Sequence, residues 1–148
     1  MPLMFLGVMF AAMSLSLAAA ERPPAYDYSA QTEVDGYTIR VGLIHNHELL
    51  AEYRKIVEVV RNGTVIATHE YRDPGGFANF YLLRRENRLI VVDGLTRGFV
   101  LELESGKTQP AKPADIPSGI DSQSFGRFMF VAKPKREYKW VKAEDVPK

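Results

Sequence analysis

The chain has 148 residues, the span of a single domain, and its 19 Lys and Arg offset 18 Asp and Glu to a net charge of +1. So even a balance argues against a general nucleic-acid binder, which carries a basic excess. Cysteine is absent, which excludes disulfides, thiolate metal sites, a cysteine nucleophile and a lipidated cysteine anchor, and leaves the hydrophobic core to hold the fold alone.

Residues 1–20, "MPLMFLGVMFAAMSLSLAAA", contain no charged side chain. The apolar run closes on Ala18 and Ala20, the −3 and −1 positions of a signal-peptide cleavage site, which would make Glu21 the mature N-terminus. The segment lacks the usual basic start, and its length is also near the minimum for a retained membrane anchor. The following Glu21-Arg22-Pro23-Pro24 favours cleavage, and the expected product is an exported protein, periplasmic or secreted. No later stretch is long and apolar enough to span a bilayer.

Residues 21–35 are polar and without a clear period, and read as a leader onto a single β domain spanning 36–148. In "YTIRVGLI" (37–44), Tyr37, Ile39, Val41 and Leu43 alternate with Thr38, Arg40 and Gly42, the period of a half-buried strand. The next stretch is ambiguous. Leu49, Leu50, Tyr53, Ile56, Val57 and Val60 form a helical stripe, with Asn46 and Gly63 as caps. Against a helix near 47–60 stand the β-branched run "IVEVV" (56–60) and the Asn62-Gly63 pair, a strong signal for a type I′ hairpin. A strand over about 51–61 is favoured; folded about Asn62-Gly63 it sets Val60 against Val65, Lys55 against Glu70 and Ile56 against His69.

Turn chemistry at "DPGG" (73–76) precedes strands "FANFYLLR" (77–84) and "LIVVD" (89–93), joined by "RENR". After "GLTRG", the stretch "FVLELE" (99–104) alternates Phe99, Leu101 and Leu103 inward with Val100, Glu102 and Glu104 outward. Pro110, Pro113, Pro117 and Gly119 make 107–122 an irregular loop. A last hairpin joins "SFGRFMFVA" (124–132) to "REYKWVK" (136–142). The total is an all-β antiparallel meander of about eight strands, expected as a closed or partly open barrel, with a two-sheet sandwich as the alternative.

Chemical motifs are sparse. His45 and His47 share a strand face, and with His69 they are the weak candidates for a three-imidazole metal site. No H-E-x-x-H, no calcium loop and no G-x-S-x-G occurs, and no cofactor is indicated. Glu102 and Glu104 fit the wet side of a strand better than a carboxylate pair. Asn62-Gly63-Thr64 also matches a glycosylation sequon, although the hairpin accounts for it.

The aromatic residues are more informative. Phe128 and Phe130 share one strand face while Phe125, Arg127, Met129 and Val131 take the other, so a second apolar face must be covered by the loop, a partner or a ligand. Beside them Lys135, Arg136 and Lys139 flank Tyr138 and Trp140, the composition of a protein-binding hot spot. The expected function is a small exported non-enzymatic binding protein, with Phe128, Phe130, Lys135, Arg136, Tyr138, Lys139 and Trp140 as candidate contacts. Its partner would be another envelope or secreted protein, such as an enzyme it inhibits. The alternatives are a barrel carrying a small apolar ligand, and a His-ligated metal protein.

Overall fold

The computed structural model describes residues 25–46, 50, 52–73, 78–94, 96–132 and 135–148. Ten strands follow in chain order: β1 (Tyr28–Val34), β2 (Tyr37–His45), β3 (Tyr53–Arg61), β4 (Thr64–Asp73), β5 (Phe80–Arg85), β6 (Arg88–Asp93), β7 (Arg97–Glu102), β8 (Thr108–Pro110), β9 (Gly126–Val131) and β10 (Glu137–Lys142). One short helix, α1 (Ile120–Gln123), precedes β9. Among the described residues no helix is long and apolar enough to cross a membrane.

The strands form two antiparallel sheets, β1-β2-β3-β4 and β10-β9-β5-β6-β7-β8. The expected closed barrel is therefore replaced by the sandwich alternative. The meander breaks between β4, which pairs with β3, and β5, which pairs with β6 and β9. The reason lies in the sequence of the second sheet. Phe80 and Leu82 of β5, Leu89 and Val91 of β6, and Phe99 and Leu101 of β7 face the first sheet, while Tyr81, Leu83, Ile90, Val92 and Val100 form an apolar layer on the opposite face. Strands greasy on both sides need cover on both sides. The segment after β8 supplies it, setting Ala111, Ile116 and Ile120 on the outer layer before β9 joins β5. The expected irregular loop at 107–122 thus contains β8, a 3-10 turn at Pro113–Asp115 and most of α1.

Two further expectations change, and the strand favoured over about 51–61 is observed. The polar leader ends earlier, because Tyr28–Val34 forms β1 on the edge of the first sheet. Tyr28, Ala30 and Val34 pack on the core, and Asp35-Gly36, at φ 50° and 81°, makes the same kind of turn as Asn62-Gly63 at 50° and 76°. Next, Tyr53–Arg61 is strand rather than helix; residues 47–49 and 51 lie outside the described set. In β3, Tyr53 and Val57 point into the core, whereas Ile56 packs on the other face and is 5% exposed. Its ladder partner Gly42 carries the Tyr26 ring where a side chain would stand. Finally, a bulge at Val59/Val60 shifts the β3–β4 register by one, so Lys55 faces Tyr71 rather than Glu70, and His69 faces Val57 rather than Ile56. Glu70 is held instead by Arg54, at 2.7 and 3.0 Å.

Candidate binding site

The two ends of the sandwich differ. One carries tight reversals at Asp35-Gly36, Asn62-Gly63, Glu86-Asn87 and Leu103–Gly106. The other, the loop-bearing end, carries the ends of β2, β4, β6 and β9, the starts of β3, β5, β7 and β10, and the entry to β1.

At that loop-bearing end β1, the edge of the first sheet, and β10, the edge of the second, border a groove of about 430 Å³. Asp27, Tyr28 and Ser29 form one lip and Lys135 to Lys139 the other. The Tyr28 ring meets Phe130 edge-on at 4.8 Å between centroids, and Phe130 meets Tyr138 at 5.1 Å. Tyr53 and His45, 4.9 Å apart, extend the aromatic cluster into the first sheet. The Arg136 guanidinium sits 4.4 Å from the Phe130 ring centre, and its Nη2 donates to the Tyr53 hydroxyl at 3.5 Å. Stacking of this kind holds the planar cation in place.

Acidic groups at the groove are already engaged. Asp27 accepts from the His45 backbone N–H at 2.8 Å and lies 3.3 Å from its ring Nδ1. Glu137 pairs with Lys139 at 2.6 Å, and that hydrogen bond, with the nearby positive charge, holds its carboxyl below the usual range. Lys135 adds to the positive charge around Glu137, and Arg136 rests on the Phe130 ring and the Tyr53 hydroxyl.

Beneath the groove lies a buried polar cluster. Tyr138 donates to the Ala78 carbonyl at 2.6 Å; burial, reinforced by the Asp93 charge, pushes its hydroxyl well above the ordinary tyrosine range. Lys55, 1% exposed, reaches across from β3 to Asp93 on β6, 3% exposed. Arg97 holds the second carboxylate oxygen, with Nη2 at 2.7 Å and Nε at 2.9 Å, and lies over the Tyr71 ring at 5.5 Å. Burial, with Asp93 adding to it, raises the Tyr71 hydroxyl to about 12. Buried charges of this kind persist only when paired and hydrogen-bonded.

The aromatic and basic residues expected to act together separate into two groups. Lys135, Arg136 and Lys139 line the groove, Phe130 underlies Arg136, and Tyr138, 5% exposed, belongs to the core below. Phe128 is instead fully buried in the core. Trp140 packs 5.1 Å from Phe128 and 5.7 Å from Phe125, over Gly126, where a Cβ would strike the indole. Both are packing residues because their strand positions face the sandwich interior.

The histidine set also divides. His45 stands opposite Tyr53 and His69 opposite Val57, four rows along β3, or roughly 13 Å at the strand rise. His69 stacks on Phe99 at 3.9 Å and bonds the Thr108 hydroxyl at 3.1 Å, at the far seam of the sandwich. His47 lies outside the described residues, and among those described no three His, Asp or Glu side chains are grouped to hold a metal ion. Between the sheets, Tyr37, Phe80, Phe99, Phe128, Leu82 and Leu101 fill the interior.

Asp27, Tyr28, Tyr53, Lys55, Asp93 and Arg97 escape a reading of the sequence as a series of separate strands. Lys55 alone leaves a trace: alternation with Tyr53 and Val57 turns its charge inward. No family model, no curated protein and no solved structure matches the chain.

Proposed function

We propose that this chain is a small exported binding protein with no chemistry of its own, and that it grips another envelope or secreted protein with its loop-bearing end. Export is supported by the uncharged segment 1–20 and its Ala18-x-Ala20 ending. The observation that carries binding is the groove between β1 and β10, where Tyr28 and Arg136 meet over Phe130 at the junction of two sheet edges. Aromatic and arginine side chains on a stiff support are the usual anchors of protein recognition, because little rotamer freedom remains to be lost.

Site-specific photo-crosslinking tests this. A photoreactive residue replacing Lys139 should capture one discrete partner in the envelope fraction, and the same residue replacing Asn62 at the opposite end should not. Equal capture from both positions, or none from Lys139, refutes the reading. A captured partner whose activity falls on binding would make the protein an inhibitor. N-terminal sequencing of the exported form should begin at Glu21.

A further inference from the structure

Away from the groove the two sheets meet along a second seam, where β4 of the first lies against β7 and β8 of the second. We infer that His69 is an acid-sensitive latch on this seam, so that a proton on its ring parts β4 from β7 and β8 while the rest of the sandwich stays closed.

The seam is lightly tied. β4 pairs only with β3, and β8, three residues long, pairs only with β7. Each is held by a ladder on one side alone, and few ladder bonds make for low local stability. Across the seam β4 turns two large side chains inward, His69 and Tyr71. Tyr71 lies under Arg97, which also donates to the Arg72 carbonyl and so ties the loop-bearing end. His69 ties the middle. Its ring lies within 9° of parallel on Phe99 of β7, and its Nε2 bonds the Thr108 hydroxyl of β8.

The surroundings suit a neutral imidazole and not a charged one. Val57 stands opposite on β3, Phe99 covers the ring from β7, and Thr108 meets it from β8. Towards the loop-bearing end the inward charged groups are Lys55 on β3, Asp93 on β6 and Arg97 on β7, and the two cations already hold both oxygens of Asp93. Towards the other end Arg61 lies over Tyr37, and Lys107, which precedes Thr108, is also basic. Burial alone moves the His69 pKa, and it moves it down. Parting the seam lets the ring meet water and take its proton at the ordinary value. Each pH unit below 6.5 then favours the open seam by up to about tenfold, until the closed ring itself is protonated. The groove seam responds the other way, because a protonated His45 faces the Asp27 carboxylate at 3.3 Å.

Hydrogen exchange followed by mass spectrometry on the full chain tests the latch. Protection, corrected for the intrinsic pH dependence of exchange, should fall severalfold in segments 64–73 and 97–110 over the pH unit below 6.5, and hold constant in β9 and β10. His69→Gln keeps a hydrogen-bonding group for Thr108 but takes up no proton, so the fall should vanish. Thr108→Val removes the partner of the ring and should lower protection of the same segments already at neutral pH. An equal fall in every strand means that acid unfolds the whole domain and overturns the latch. So does a fall that persists in His69→Gln, or no fall at all. Should His69→Gln fail to fold, the His69 ring resonances of the native chain decide: a midpoint below 6.5 that tracks the loss of protection supports the latch, and one at or above 6.5 overturns it.

Discussion

Lys55 lies between Arg54 and Ile56 on β3, and strand alternation sends it inward among Tyr53 and Val57. A lone ammonium there would be untenable, and it is met by Asp93 of the other sheet, which Arg97 also holds. Asp93 is thus the hinge of the cluster, with cations on both of its oxygens. Asp93→Ala should cost about 3–5 kcal/mol in urea unfolding, because it removes the buried carboxylate that Lys55 and Arg97 share. Lys55→Met combined with Asp93→Leu should recover a large part of that loss, since well-packed apolar residues often replace buried pairs at little cost. If the double variant is as unstable as Asp93→Ala alone, the cluster matters for more than charge compensation.

Elements follow from local signals where a turn or a period declares them. The hairpin joining β3 and β4 turns on Asn62-Gly63, both at positive φ, as its residue pair demands. Gly63→Ala should therefore cost about 1 kcal/mol, a few degrees in Tm. Gly98 differs: a Cβ there would collide with the Val91 carbonyl oxygen on the neighbouring strand. Backbone cannot yield as a flexible side chain can, so Gly98→Ala should spread β6 from β7 and lower Tm far more than Gly63→Ala. Thermal melts followed by circular dichroism compare the two. The bulge at Val59/Val60 is less legible than either, because one extra residue in β4 leaves its composition unchanged while shifting every later pairing. That shift separates Lys55 from Glu70 and gives Glu70 to Arg54.

Across the whole molecule the sheets meet at two seams. One is the groove between β1 and β10; at the other, His69 of β4 stacks on Phe99 of β7 and bonds Thr108 of β8. Burial lowers the His69 pKa below its usual 6.5. The unfolded chain then takes up a proton more readily than the folded one. The His69 contribution is present above pH 6.5 and is lost as pH falls through the lower folded value. The difference in unfolding free energy between the native chain and His69→Gln should therefore vary with pH in the window below 6.5 and level off above 6.5. A difference that stays flat across that window would mean that burial does not disfavour the charged ring.

Period two, β-branched runs and turn residues are properties of short stretches, so the sequence by itself determined that the chain is all-β, where most strands begin and end, and which faces are apolar. The basic and aromatic character of the last hairpin was equally plain, including Lys135, Arg136 and Lys139. Pairing between distant strands was not, since the closure of a barrel and the stacking of two sheets use the same alternation. Tertiary structure decided that β4 and β5 part company, that β9 returns to β5, and that Tyr28 faces Phe130 across a groove. It also withdrew Phe128 and Trp140 into packing and set Lys55 on Asp93. Local patterns state which side chains must be hidden; which surface hides them depends on how two sheets meet, and that contact is encoded in no single segment.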